Sequence, residues 1–138
     1  MTVRRLCALA LGFILLAAAW PKIADPPGFA QTLFNYRLVP EFLRHGLALV
    51  LPWLELWLGV ALISGRGECG AARWAFLLML AFAGAIALNL LRGNPIDCGC
   101  FGVGPARTAA EKLVAMRWEV LRDLAFAALA LPLLKPRA

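Results

Sequence analysis

The chain is poor in charge and in metal-binding side chains. Only 16% of its 138 residues are charged and 62% are hydrophobic, whereas soluble domains are about half apolar and about a quarter charged. It has one histidine, His45, and no cysteine spacing of the finger type, which excludes a zinc finger. Four cysteines, widely scattered, are too few for a secreted disulfide framework. No internal repeat or low-complexity linker divides the sequence, so residues 1–138 read as one domain.

What is present is apolar sequence. The mean hydropathy is +0.78, a membrane-protein value. The net charge of +6 and the isoelectric point near 9.8 are therefore read as loop anchoring at anionic headgroups, not as nucleic-acid binding. A spanning helix needs about 20 apolar residues, within a range of about 17–25. Four segments meet or approach this, at about 6–23, 46–63, 74–91 and 118–134. The expected fold is an all-α, four-helix transmembrane bundle. The first segment also mimics a signal peptide, with Arg4 and Arg5 before an apolar stretch that ends in Ala17-Ala18-Ala19. Lys and Arg are densest in the short stretches that hold Arg4, Arg5, Arg66, Arg73, Lys135 and Arg137. The positive-inside rule then places both termini in the cytoplasm and both longer loops outside it.

The first outer loop carries helix signals. Asp25 is a capping residue and Pro26-Pro27 suit a first turn. Phe29, Leu33 and Tyr36 then share a face, with Gln31, Asn35 and Arg37 elsewhere. The spacing predicts an interfacial amphipathic helix ended by Pro40. In the second outer loop Thr108 and Glu111 form a capping-box pattern, so the helix that enters the fourth span is expected to start there.

The chemistry is concentrated in Asp97-Cys98-Gly99-Cys100-Phe101-Gly102. Two cysteines one residue apart form a disulfide only through a tight ring, which Gly99 permits. Strained, exposed disulfides suit exchange better than bracing. Cys98 and Cys100 are thus the candidate catalytic pair. A static brace, or a soft copper(I) ion on two thiolates, are the other readings. Asp97 disfavours a thiolate beside it and Arg92 favours one.

Glu55 lies about 13 Å into the second segment at 1.5 Å per residue. A carboxylate at that depth faces the bundle interior, either as an ion-paired lock or as a group that accepts a proton or binds a quinone. Lys22 and Arg122 are its candidate partners, although Lys22 can also snorkel to the headgroups. Arg122 has further options in Asp123 of a neighbouring chain and in a loop thiolate. Glu119 and Asp123 are like charges one turn apart, which suits a cleft or an interface better than lipid. Cys7 and Cys69 fall near the cytoplasmic side, where thiols stay reduced. His45 and Asn89 lie toward outer helix ends, where a plain helix-end role is favoured over a hydrogen bond to a quinone. The tryptophans read as an aromatic belt.

Lys22, Asp25-Pro26, Phe29, Tyr36, the run Leu51-Pro52-Trp53-Leu54-Glu55-Leu56-Trp57-Leu58-Gly59, the Cys-Gly-Cys run and Leu121-Arg122-Asp123-Leu124 together resemble the methylamine utilisation protein MauE family, within the DoxX-like four-helix membrane proteins. The resemblance covers nearly the whole chain. It implies a bacterial inner-membrane protein that supports disulfide formation in an exported protein such as a methylamine dehydrogenase subunit, beside a thioredoxin-like partner. The architecture is also similar to vitamin K epoxide reductase and to quinone-reducing disulfide catalysts, which implies quinone as electron acceptor. Those proteins carry Cys-x-x-Cys and a second, loop-borne pair; here residues 21–45 hold no cysteine. The expected function is a membrane thiol–disulfide redox protein working through Cys98 and Cys100, supported by Glu55, Lys22, Arg122 and Asp97. A non-enzymatic assembly or anchoring subunit is the alternative.

Overall fold

The computed structural model describes residues 1–97 and 108–136. Among these are five α-helices: α1 (Val3–Ala24), α2 (Pro26–Tyr36), α3 (Glu41–Ser64), α4 (Glu68–Leu91) and α5 (Ala109–Ala130), followed by a 3-10 turn at Leu131–Leu133. Three of them, α1, α3 and α4, are long and apolar enough to cross a membrane. α5 is as long as α1, but Glu111, Lys112, Arg117, Glu119, Arg122 and Asp123 fall in its first two-thirds. Its apolar stretch is correspondingly short.

Local chemistry sets the boundaries. The Thr2 side chain caps α1 by accepting from the Arg5 amide. Asp25 separates α1 from α2 and accepts from the Gly28 amide at 3.1 Å, with Pro26 and Pro27 filling the first turn. α2 stops at Tyr36, where Arg37 takes a left-handed conformation (φ 53°). Pro40 is therefore not the terminator of α2, as the sequence suggested, but the residue that precedes α3. The α3–α4 turn needs Gly65 and Gly67, both at positive φ. The capping box at α5 forms in both directions, Glu111 amide to the Thr108 hydroxyl and Thr108 amide to the Glu111 carboxylate.

α1 packs chiefly on α3, and α4 on α5. Leu11, Leu15, Leu58, Leu62, Ala72 and Ala75 form the centre of the main core. Phe29, Ala30 and Leu33 of α2 are buried with Ala48 of α3, and Tyr36 with Ile86, Ile96 and Met116. The apolar stripe of α2 is thus spent on the bundle, while Gln31, Asn35 and Arg37 face out. All five tryptophans are exposed on the outer faces of the helices.

The α1–α3 crossing is made by two glycines. A Cβ on Gly59 would lie 2.9 Å from the Gly12 carbonyl oxygen, and one on Gly12 would lie 3.0 Å from the Gly59 oxygen and 2.7 Å from Ile63 Cγ1. Backbone cannot yield locally, so the helices would have to separate. This is the small-residue contact that membrane helices use to approach closely. Gly59→Ala should destabilise the chain by about 1–3 kcal/mol through overpacking, despite the better helix propensity of alanine. Gly84→Ala, where nothing lies within 4 Å, should be neutral or slightly stabilising. Thermal unfolding of the two variants in detergent checks the contrast; equal melting temperatures would remove the close crossing.

Candidate functional site

Lys22 occupies the last turn of α1, and Glu55 lies about 21 Å along α3 at 1.5 Å per residue, near the helix middle. The Gly12–Gly59 crossing holds these helices close enough for the two side chains to meet. Lys22 Nζ donates to both carboxylate oxygens of Glu55, at 2.7 and 2.8 Å. Both side chains are almost wholly buried, 2% and 1% exposed. The ammonium also sits 5.3 Å from the Phe29 ring centre and 5.1 Å from that of Phe82, so its charge is enclosed by a carboxylate and two aromatic faces. Lys22 therefore does not snorkel outward. It bends into the bundle because a buried carboxylate without a partner would cost more than the removal of the ammonium from water.

Asp123 of α5 is buried beside this pair, and Lys22, Glu55, Asp123, Met79, Phe82 and Phe126 line one small cavity of about 10 Å³. Asp123 Oδ1 accepts from Nε and Nη2 of Arg122, at 3.3 and 3.1 Å, while Oδ2 is buried with no hydrogen-bond donor among the described residues. Arg122 is partly exposed, and its guanidinium lies 5.9 Å from the Phe126 ring centre. Of the two partners the sequence offers Glu55, Lys22 makes the hydrogen bonds, and Arg122 donates to Asp123 of its own chain and not of a neighbouring one. Lys22 reaches Glu55 first because it comes from the helix packed directly on α3. With all four groups ionised, the cluster sums to zero charge, which suits an apolar surrounding.

A second constellation lies at the bundle end that carries α2. Buried Asn89 donates to the Ala85 carbonyl and accepts from Asn94 Nδ2 at 2.9 Å; the same Asn94 amide reaches the Asn35 carbonyl of α2 at 3.2 Å. Asn89 is thus a helix-end lock. Asp97 forms an ion pair with Lys112 of α5 at 3.3 Å. Sequence reasoning weighed Arg92 against Asp97 and missed Lys112, whose only signal was its place in the capping-box turn. Cys98 and Cys100 lie outside the described residues.

At the opposite end Cys7 and Cys69 are free thiols, and Cys69 Sγ donates to the Leu134 carbonyl at 3.1 Å. Arg4 pairs with Glu68 at 2.8 Å and donates to the Pro132 and Lys135 carbonyls. Arg5 donates to the Leu62 and Ile63 carbonyls, closing the end of α3. These contacts tie the chain termini to the α3–α4 turn. His45 is exposed in the first turns of α3.

No solved structure is similar to this chain by the comparison made. The family described as methylamine utilisation protein MauE matches residues 1–136. The methylamine utilization protein MauE of Methylophilus methylotrophus is 38% identical over 131 residues, 94% of this chain and 66% of that one. The protein of the same name from Methylorubrum extorquens is 41% identical over 126 residues, 91% of this chain and 66% of that one. That from Paracoccus denitrificans is 38% identical over 122 residues, 88% and 62%. The chain spans about two-thirds of the length of these curated relatives. A match along nearly all of its own length makes this chain a member of the methylamine utilisation protein MauE family.

Proposed function

We infer that the protein is a thiol–disulfide redox component of the bacterial inner membrane, supporting disulfide formation in an exported protein such as a methylamine dehydrogenase subunit. In this reading α1, α3, α4 and α5 are the four spans, α2 lies at the outer interface, and both termini are cytoplasmic. The observation that carries it is the anchoring beside the Cys-Gly-Cys run. Asp97, the residue before Cys98, is fixed to Lys112 of α5, and Asn94 is fixed to α2. Asp97, which leads into the run, thus lies at the α2 end of the bundle, the end that this reading turns toward an extracytoplasmic thioredoxin-like partner or folding substrate.

The chemistry is exchange. A partner thiolate attacks one sulfur of the Cys98–Cys100 disulfide and forms a mixed disulfide, while the other cysteine leaves as thiolate. The second partner thiol then displaces the first cysteine. The partner is oxidised by two electrons, and Cys98 and Cys100 are left as a dithiol. A lipid-soluble quinone is the proposed acceptor of two electrons and two protons when the pair is reoxidised. The cavity beside Glu55, about 10 Å³, is of the size of one water and too small for a ring. The part proposed for Glu55, with Lys22 and Arg122–Asp123 around it, is accordingly to hold or move a proton. The competing reading, a non-enzymatic anchoring subunit, draws on the same buried pair as a lock between helices.

A membrane-impermeant maleimide tests for the outward-facing disulfide that the redox reading requires. In intact cells carrying a Cys7→Ala, Cys69→Ala background, labelling of Cys98 and Cys100 should rise after reduction. Unchanged labelling would leave the anchoring reading standing. Labelling from the cytoplasmic side alone would invert the topology.

A further inference from the structure

We propose that the groove between α2 and the first turns of α3 binds the phosphodiester of an anionic phospholipid, with Arg44 as its principal ligand. The groove encloses about 260 Å³, and its floor is apolar, formed by residues such as Pro27, Ala30 and Leu49. Three polar side chains border it: Gln31, Arg44 and His45. This is the composition of a site for an amphiphile, whose head meets a few polar groups and whose chains meet apolar wall.

Arg44 is poised and underused. Its guanidinium carbon lies over the Phe34 ring, 4.9 Å from the ring centre. Among the described residues its buried Nε has no hydrogen-bond acceptor. The carboxylate paired with it, Glu41, lies one turn away at 3.8 Å and is 85% exposed to solvent, a contact of the kind that contributes little. The other acid near the start of α2, Asp25, is committed to the Gly28 amide. A guanidinium over an aromatic ring, with no strong partner among the described residues, is suited to donate from its terminal nitrogens to a phosphate oxygen. Below Arg44 on α3, the exposed Leu49, Val50 and Trp53 continue an apolar path along which acyl chains can lie. That path favours a lipid phosphate over free phosphate. The site is independent of the cysteine chemistry.

The test uses the full chain, purified in a nonionic detergent and examined by native mass spectrometry. Phosphatidylglycerol and phosphatidylcholine of identical acyl chains are compared. Phosphatidylglycerol should be retained about fivefold to tenfold more strongly, the scale of one basic contact to an anionic surface. Arg44→Gln should remove that preference, and Arg44→Lys should restore part of it. Leu49→Trp, which fills the groove from an exposed position and leaves the arginine in place, should also reduce retention; it keeps the test informative if Arg44→Gln fails to fold. Equal retention of the two lipids by the parent, or undiminished phosphatidylglycerol on Arg44→Gln, overturns the proposal. Displacement of the lipid by inorganic phosphate would overturn the lipid assignment in favour of free phosphate.

Discussion

Lys22→Met should destabilise the folded chain by about 3–5 kcal/mol, the cost of a buried charge stripped of its partner. Among the described residues the carboxylate of Glu55 accepts from Lys22 alone, and it is fully buried. No solvent can replace the lost ammonium, and the neighbouring Asp123 adds a second acid to the same cavity. The double variant Lys22→Met, Glu55→Leu should recover most of this loss, because paired apolar substitutions of similar volume are commonly neutral or stabilising. Thermal unfolding in detergent reads the stabilities. Substrate maturation in cells reads the role: a double variant that folds but matures its partner poorly marks a proton function, and one that matures it fully marks a lock. A single Lys22→Met as stable as the parent would show that the pair is not sealed from water.

The helix ends were legible in the sequence because their signals are local. Asp25-Pro26-Pro27 and Thr108–Glu111 act within one turn, and both operate as their residues predict. The end of α2 was misplaced because Arg37 adopts a left-handed conformation usual for glycine, and no side-chain pattern announces it. Lys22 and Glu55 were legible as candidates, since each is a charge set in apolar sequence. Which of Lys22 and Arg122 meets Glu55 was not, because it depends on a crossing of Gly12 and Gly59, far apart in the chain. The Arg122–Asp123 contact escaped for the opposite reason. Adjacent helical residues do not ordinarily face each other, yet the long arginine folds back to its neighbour. Asp97–Lys112 joins the two sides of the loop between α4 and α5, a closure that spacing alone cannot reveal. The charges along α5 keep it out of the set of helices apolar enough to cross a membrane, and one of them, Asp123, joins the buried cluster.

Cys98→Ser and Cys100→Ser should each reduce maturation of the exported partner to background, and only one of them should accumulate a mixed disulfide. The asymmetry follows from the order of bond changes. Attack on one sulfur joins the partner to that cysteine and releases the other as thiolate. A dithiol that attacks a partner disulfide does the same in reverse. If the released or resolving cysteine is the one replaced, the remaining cysteine, on meeting a partner disulfide, forms a bond that nothing within the chain can cleave. If the attacking cysteine is replaced, no bond forms. Non-reducing electrophoresis of membranes from the two variants, with the trapped band reduced and sequenced, identifies the attacking residue and its partner together. The Cys7→Ala, Cys69→Ala variant should mature the partner as the parent does. Both thiols sit at the bundle end clasped by Arg4 and Arg5, and Cys69 is occupied with the Leu134 carbonyl. A loss there equal to that of Cys98→Ser would refute a pathway confined to the outer pair. It would require electrons to cross the bundle from the cytoplasmic end, and so a chain that reduces its external partner instead of oxidising it.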